Sequence, residues 1–209
     1  MNRDFSALAT TDYGNVLSHD HFMDFTIRPI WQGMPRIFGE AFTVQLAPGD
    51  NLMLHSAIYE APEGSILVVD GVDAEYAVAG GNVCAVAQQR GIKGFIVDGV
   101  IRDLSEIENR QFPVFAKGLH PVPGKKEIFT ELCAPIICGG VKVATSDMIV
   151  ADIEGIVVIP KSERERVFQL ASEKASAEAS LTLSEWETRH REKISKAISS
   201  AKTLAQRRK

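Results

Sequence analysis

The stretch from Ala79 to Glu106, AGGNVCAVAQQRGIKGFIVDGVIRDLSE, constrains the fold more than any other part of the chain. It reads as loop, helix, strand and turn in one unit. Gly80-Gly81 opens a segment whose Val83, Val86 and Ala87 fall at helical spacing. Gly91 stops that helix, because a glycine just past a helix end adopts the left-handed conformation that other residues avoid. Gly94-Phe95-Ile96-Val97 then reads as a short buried strand, and Asp98-Gly99 as a turn. Twenty residues separate Gly81 from Arg102. A helix followed by a returning strand brings both ends of such a segment to one edge of a sheet.

The flanking chain sets the fold class. Residues 12–17 predict a short helix, and Phe42 to Leu46 alternates as a strand. Asp50 is a fitting N-cap for a helix over 51–60, with Leu52, Met53, Leu54, Ala57 and Ile58 at core spacing. Pro62-Glu63-Gly64 turns the chain into Ile66-Leu67-Val68-Val69, an apolar run suited to a strand covered on both faces. Later strands are expected at Pro113–Ala116, Ile136–Cys138, Val141–Val143, Met148–Val150 and Ile156–Ile159, with hairpin turns at Gly139-Gly140 and Glu154-Gly155. Ser162 with Glu165, and Ser184 with Glu187, have capping-box spacing and predict two C-terminal helices joined near 181–183. Helix–strand units, then strands, then helices predict an α+β core over 1–160 and a helical extension over 161–209, packed on the core or on a neighbouring subunit.

A net charge of -4 argues against a nucleic-acid binder, which usually presents a strongly basic surface. The one basic cluster, Arg207-Arg208-Lys209, reads as a solvated tail. The first residues show no secretory leader, and no run approaches the ~18 apolar residues of a membrane span. Cys84, Cys133 and Cys138 lack paired metal spacing and read as buried, reduced thiols. These features predict a cytoplasmic protein.

Two elements of the opening stretch carry chemistry. Arg102-Asp103 sets a guanidinium fork beside a carboxylate, which suits an anionic oxygen and a hard cation side by side. Taken alone, the pair also reads as a surface arginine and a helix N-cap. The loop Gly80-Gly81-Asn82-Val83 puts backbone N–H groups at the positive end of a helix dipole, a seat for a carboxylate or phosphate. It is not the dinucleotide pattern, since no Gly-x-Gly-x-x-Gly is present. His19-Asp20-His21 would share a face on a strand and could hold zinc, but a structural role fits better without a third ligand. His55 is read as a partly buried helical residue, His120 and Lys117 as possible pocket borders, and Cys84 as core.

These residues carry a resemblance. The chain resembles the family shared by the regulator of ribonuclease activity A-like proteins and the 4-hydroxy-4-methyl-2-oxoglutarate aldolases. The likeness runs through Phe42-Thr43-Val44, Pro48 to Leu52, Ile66 to Gly71, Gly80 to Arg90, Gly94 to Asp103, Pro113 to Gly118, Asp147 to Asp152 and Gly155 to Pro160, covering about residues 10–170. It implies a three-layer β/β/α sandwich of the ribonuclease-regulator type, assembled as a homotrimer or hexamer with sites between subunits. It implies a metal-dependent lyase that cleaves a 4-hydroxy-2-oxo acid to pyruvate and decarboxylates oxaloacetate. By the resemblance, Arg102 binds substrate oxygens, Asp103 binds Mg²⁺ or Mn²⁺, and Gly80, Gly81, Asn82 and Val83 take the pyruvate carboxylate. The chain departs in one place: aldolase members carry an acid where it has Gly81. Regulator members typically lack the aspartate retained here as Asp103. Glu178, Glu185 and Glu187 are candidates for an acid lent to a neighbouring site. The alternative is a non-catalytic regulator that binds a ribonuclease or helicase.

Overall fold

Strand β2 (Ile37–Gln45) organises the sheet, because its two halves pair with different partners. Ile37 to Glu40 runs antiparallel to β8 (Met148–Asp152), while Ala41 to Gln45 runs parallel to β3 (Ile66–Asp70). With β1 (Arg28–Pro29), β4 (Gly94–Ile101), β5 (Val114–Leu119) and β9 (Gly155–Ile159) these form a seven-stranded mixed sheet of order β1-β5-β4-β3-β2-β8-β9. The computed structural model describes residues 3–207, so Arg208 and Lys209 of the basic cluster lie outside the described residues.

Side-chain alternation along the strands divides the interior in two. Leu67, Val69, Phe95 and Val97 face α2 (Leu52–Glu60), α3 (Gly81–Gln89) and α4 (Leu104–Asn109), where they meet Leu54, Ala57, Cys84, Ala87 and Ile107. Ile66, Val68, Ile96 and Phe115 face the other way. They pack on Ile149, Ala151, Ile156 and Val158 of β8–β9, and on the hairpin of β6 (Ile136–Cys138) and β7 (Val141–Val143). This is why β3 and β4 read as unbroken apolar runs: both faces are buried. Each fully buried Phe or Ile contributes about 1.5–3 kcal/mol by leaving water. The sheet curls over the second core into a nearly closed barrel, and the helices form the third layer, as the α+β reading expects.

Several local expectations are corrected. Asp98-Gly99 is no turn: β4 runs through it to Ile101, and the ladder to β5 shifts register between Val97 and Val100, a bulge that absorbs the glycine. β2 begins five residues before Phe42, because Ile37 to Glu40 finds β8 as a partner that no local signal announces. The first α-helix, α1 (Thr10–Gly14), starts earlier than expected and is held by Asp12, whose carboxylate accepts the Ala9 N–H at 2.8 Å. Asn51, not Asp50, is the N-cap of α2; Asp50, one residue earlier, accepts the Leu52 N–H at 2.8 Å, and its other oxygen accepts from Glu127 and Ile128, tying the long loop to α2. Gly139 and Gly140 both take positive φ, 55° and 78°, as a two-residue hairpin turn requires. The β8–β9 turn is Ile153-Glu154, since Gly155 already pairs with Asp152. Cys84 and Cys138 are buried, but Cys133 is exposed with φ 64°.

The chain divides into one compact unit up to Ala171 and a second from Ser172. Helix α5 (Arg164–Ala179) buries Val167 and Ala171 in the first. Glu165 does not turn back to cap it; Arg3 holds its carboxylate at 2.5 Å. Helix α6 (Leu183–Arg207) opens on a capping box two residues earlier than expected: Glu185 accepts the Thr182 N–H at 2.8 Å and donates its own N–H to Thr182 Oγ1 at 3.3 Å. Every α6 residue whose burial is described is exposed. No helix among the described residues is long and apolar enough to cross a membrane.

Candidate active site

The two ends of the Ala79–Glu106 stretch meet. The chain leaves β3, passes through residues 71–80, enters α3 at Gly81 and returns along β4 to Arg102, whose N–H donates to Ala79 O at 3.0 Å. Gly80 is the extended N-cap of α3, and its carbonyl accepts the first helical bond, from Cys84 N–H, at 3.0 Å. Gly81, Asn82 and Val83 form the first turn, whose N–H groups lack intrahelical acceptors. One of them is already used: Gly81 N–H donates to Asp103 Oδ2 at 3.1 Å.

Asp103 is the N-cap of α4 and sits in the left-handed region at φ 62°, ψ 42°. A non-glycine residue held there costs of order 1 kcal/mol, and such outliers cluster at functional sites. Its Oδ2 also lies 3.4 Å from Arg102 Nε. Both side chains stay partly open to solvent, 41% for Arg102 and 35% for Asp103, so a small molecule can reach them.

The two glycines of the loop are there for space. A Cβ at Gly80 would stand 2.4 Å from Asp103 Oδ2 and 3.0 Å from Arg102 Cγ. A Cβ at Gly81 would stand 2.0 Å from Glu106 Oε2 and 2.8 Å from Glu106 Cβ. Glu106 is therefore the residue that sequence reasoning missed. It lies one helical turn after Asp103 and folds its carboxylate over Gly81. The i, i+3 spacing from Asp103 was the available signal.

Asp103 and Glu106 thus form a pair of hard oxygen donors beside a guanidinium and a helix N-terminus. No cluster of three or more His, Cys, Asp or Glu is found among the described residues. A two-carboxylate set over a cradle that any Cβ would fill suits Mg²⁺ or Mn²⁺, which keep several waters. Cys84, beneath the loop, is no nucleophile: burial, with the Asp103 charge adding to it, pushes its thiol up to about 12.

The other candidates separate. His120 comes to the edge of the site, since its N–H donates to Ile101 O at 2.9 Å across the ends of β4 and β5. Its Nδ1 accepts the Val122 N–H at 3.3 Å. Lys117 pairs with Asp98, whose other oxygen accepts from Gly139 N–H at 2.7 Å, on the sheet face of the second core. His19 to His21 form a 3₁₀ turn, not a strand, so the two imidazoles do not share a face, and His21 Nδ1 lies 3.0 Å from Val158 O. His55 is half-buried on α2, and burial lowers its pKa. Glu185 is occupied by Thr182 and Glu187 by Arg191, while Glu178 stands exposed on α5.

Comparison with known proteins gives the family and the fold. A family model described as RraA-like, Aldolase/RraA, matches residues 6–158. A protein of Halalkalibacterium halodurans that carries the name 4-hydroxy-4-methyl-2-oxoglutarate aldolase is 39% identical over 171 residues, 81% of each chain. Among solved structures, the RNA-processing inhibitor RraA from Thermus thermophilis superposes with TM-score 0.67 at 25% identity, covering 74% of this chain and 93% of that one. Streptomyces coelicolor RraAS2, an RNase ES inhibitor family member, shares the fold with TM-score 0.74 at 23% identity, over 84% of this chain and 91% of that one. With its Arg-Asp pair folded against the glycine loop, and the likeness spanning nearly the whole first compact unit, this chain belongs to the RraA-like aldolase family.

Proposed function

We propose that the protein is a divalent-metal-dependent aldolase that cleaves a 4-hydroxy-2-oxo acid to pyruvate and also decarboxylates oxaloacetate. The observation that supports this most is the meeting of Arg102, Asp103 and Glu106 with the first turn of α3. Each part has a task. The Asn82 and Val83 N–H groups and the α3 dipole hold the substrate carboxylate. Asp103, with Glu106 beside it, would hold Mg²⁺ or Mn²⁺, which when bound supplies Lewis-acid polarisation of the 2-oxo group. Arg102 stands beside that oxygen and donates to it as negative charge develops when the carbon–carbon bond breaks. Its planar fork reaches a carboxylate oxygen and the enolate oxygen together, which a lysine cannot do. Aldol cleavage and oxaloacetate decarboxylation both leave the pyruvate enolate, so one arrangement serves both.

Glu106 answers the departure at Gly81. The acid that the aldolases place on the loop is supplied here from α4, and Gly81 is the residue that makes room for it. In this reading the protein works as a homotrimer or hexamer. Retention of Asp103 favours the enzyme over a regulator that binds a ribonuclease or helicase.

The test is pyruvate release from 4-hydroxy-4-methyl-2-oxoglutarate, followed with and without added Mg²⁺. Release that excess chelator stops supports the reading. No release with added Mg²⁺, nor with Mn²⁺ in its place, refutes it and favours the regulator.

A further inference from the structure

We infer, on the aldolase reading given above, that His120 is a specificity-determining residue whose Nε2–H donates to a carboxylate carried on C4 of the substrate. Three short segments close a collar at the carboxyl end of β4. Val78 N–H donates to Val100 O at 3.0 Å and Arg102 N–H to Ala79 O at 3.0 Å, which fastens residues 77–79 to one side of β4. His120 N–H donates to Ile101 O at 2.9 Å on the other side. The chain then turns, and Ala77 N–H donates to Val122 O at 2.7 Å while Gly124 N–H donates to Ala77 O at 3.1 Å. The loop of His120 is thereby tied both to the backbone that carries Arg102 and to the segment that enters the glycine loop. Pro121 and Pro123 fix φ on either side of Val122, so this loop has little freedom left to lose when a ligand binds.

The imidazole is half-buried, and its Nδ1 accepts the Val122 N–H at 3.3 Å. A ring nitrogen that accepts carries no proton, so the ring's proton is on Nε2, at the edge turned away from Val122. The bond to Val122 is the i to i+2 contact that asparagine or aspartate makes in an Asx turn. It does not call for a histidine. What histidine adds is a second nitrogen, a donor beyond the reach of an asparagine, at the strand end that carries Arg102. Two lysines nearby in the chain are engaged elsewhere: Lys117 pairs with Asp98, and Lys125 with Glu127 at 3.9 Å. Leu119 and Val122 are exposed, so the loop is open to a ligand. The glycine loop and Arg102 engage the 1-carboxylate and the 2-oxo group, which leaves C4 and its substituents to another part of the rim. A fixed N–H there selects for an acceptor, and a carboxylate is the strongest acceptor a 4-hydroxy-2-oxo acid can carry on C4, because the bond is charge-assisted.

The test compares kcat/KM for two substrates at saturating Mg²⁺: 4-hydroxy-4-methyl-2-oxoglutarate, and 4-hydroxy-4-methyl-2-oxopentanoate, in which a methyl group replaces the C4 carboxylate. Cleavage gives two pyruvates from the first, and pyruvate with acetone from the second. The wild type is expected to prefer the first. His120→Asn keeps an acceptor for the Val122 N–H but lacks the distal donor, and should lower the ratio of the two kcat/KM values by about tenfold to a hundredfold, chiefly through KM for the first substrate. His120→Gln gives up the turn bond but carries an N–H near the Nε2 position, and should keep more of the preference than His120→Asn. Equal kcat/KM of the wild type on the two 4-hydroxy acids overturns the assignment without any variant. So does a His120→Asn protein with the wild-type ratio, or one that loses both substrates equally, which would mean that the ring serves only the loop. Oxaloacetate separates this from the reading beneath it, because it has no substituent on C4 to reach His120. Pyruvate release from none of the three compounds overturns both, whereas release from oxaloacetate with no preference between the 4-hydroxy acids overturns the role of His120 alone.

Discussion

Gly80→Ala adds one carbon and should cost most of the activity. The new Cβ would lie 2.4 Å from Asp103 Oδ2 and 3.2 Å from Arg102 Nε. Real Cβ–oxygen contacts do not fall below 3.0 Å, so the Asp103 carboxylate must retreat by roughly 1 Å to an ordinary contact. A displacement of that size in a catalytic constellation costs about 10²-fold in rate. The fold should barely register the change. The retreat weakens one charge-assisted bond, from Gly81 N–H, at a carboxylate that is a third exposed. That amounts to about 1 kcal/mol after solvent screening. The expectation is therefore a hundredfold loss of kcat for oxaloacetate decarboxylation at saturating Mg²⁺, with the thermal midpoint shifted by only a few degrees. In an Asp103→Ala background the same substitution should cost far less, because the group it displaces is gone. A Gly80→Ala protein with wild-type kcat would refute the claim that this loop positions Asp103.

Arg102→Lys should lower kcat by about 10²-fold, the cost of losing one donor aimed at the developing charge; a raised KM with unchanged kcat would mean that Arg102 only anchors substrate. Gly81→Asp should lower activity and stability, since its Cβ would meet Glu106 Oε2 at 2.0 Å, and adding Glu106→Ala should restore activity. Recovery absent from the double variant would show that the two positions do not share one role. Asp152→Asn should destabilise the fold by about 1–3 kcal/mol at neutral pH, measured by urea denaturation. Burial alone would raise this carboxyl, but Thr10, Glu154 and Arg36 together hold it below the usual range. Its contribution is present above the unfolded value of about 3.9 and is lost as pH falls through the lower folded value, so the two proteins should converge in stability as the pH drops below about 4.

The sequence announced what local chemistry decides. Gly91 takes φ 79° at the end of α3, and Ile66 to Val69 lies buried on both faces, because a left-handed cap and an unbroken apolar run each have one reading. It misled where a distant partner decides. Asp98-Gly99 carries a turn signal, yet β3 and β5 on either side keep the chain extended and place the extra residue in a bulge. Ile37 to Glu40 has no strand pattern of its own and becomes one against β8. At the site, Arg102, Asp103 and the glycine loop were legible because they bracket one helix and one strand. Glu106 had only its i, i+3 spacing from Asp103 to mark it: in the run from Ser105 to Arg110, the folded backbone is what lays its carboxylate over Gly81. The absent side chain at Gly81 reads as a loss in one dimension and as room for Glu106 in three.

The central claim is that Asp103 holds a divalent ion needed for pyruvate formation beside Arg102. It is tested most directly by following oxaloacetate decarboxylation across a Mg²⁺ titration for the wild type and for Asp103→Ala. The expected result is a saturable, Mg²⁺-dependent rate in the wild type that chelator abolishes, and only the uncatalysed rate in the variant at every Mg²⁺ concentration. Equal rates in the two proteins, or a wild-type rate unchanged by excess chelator, would contradict it.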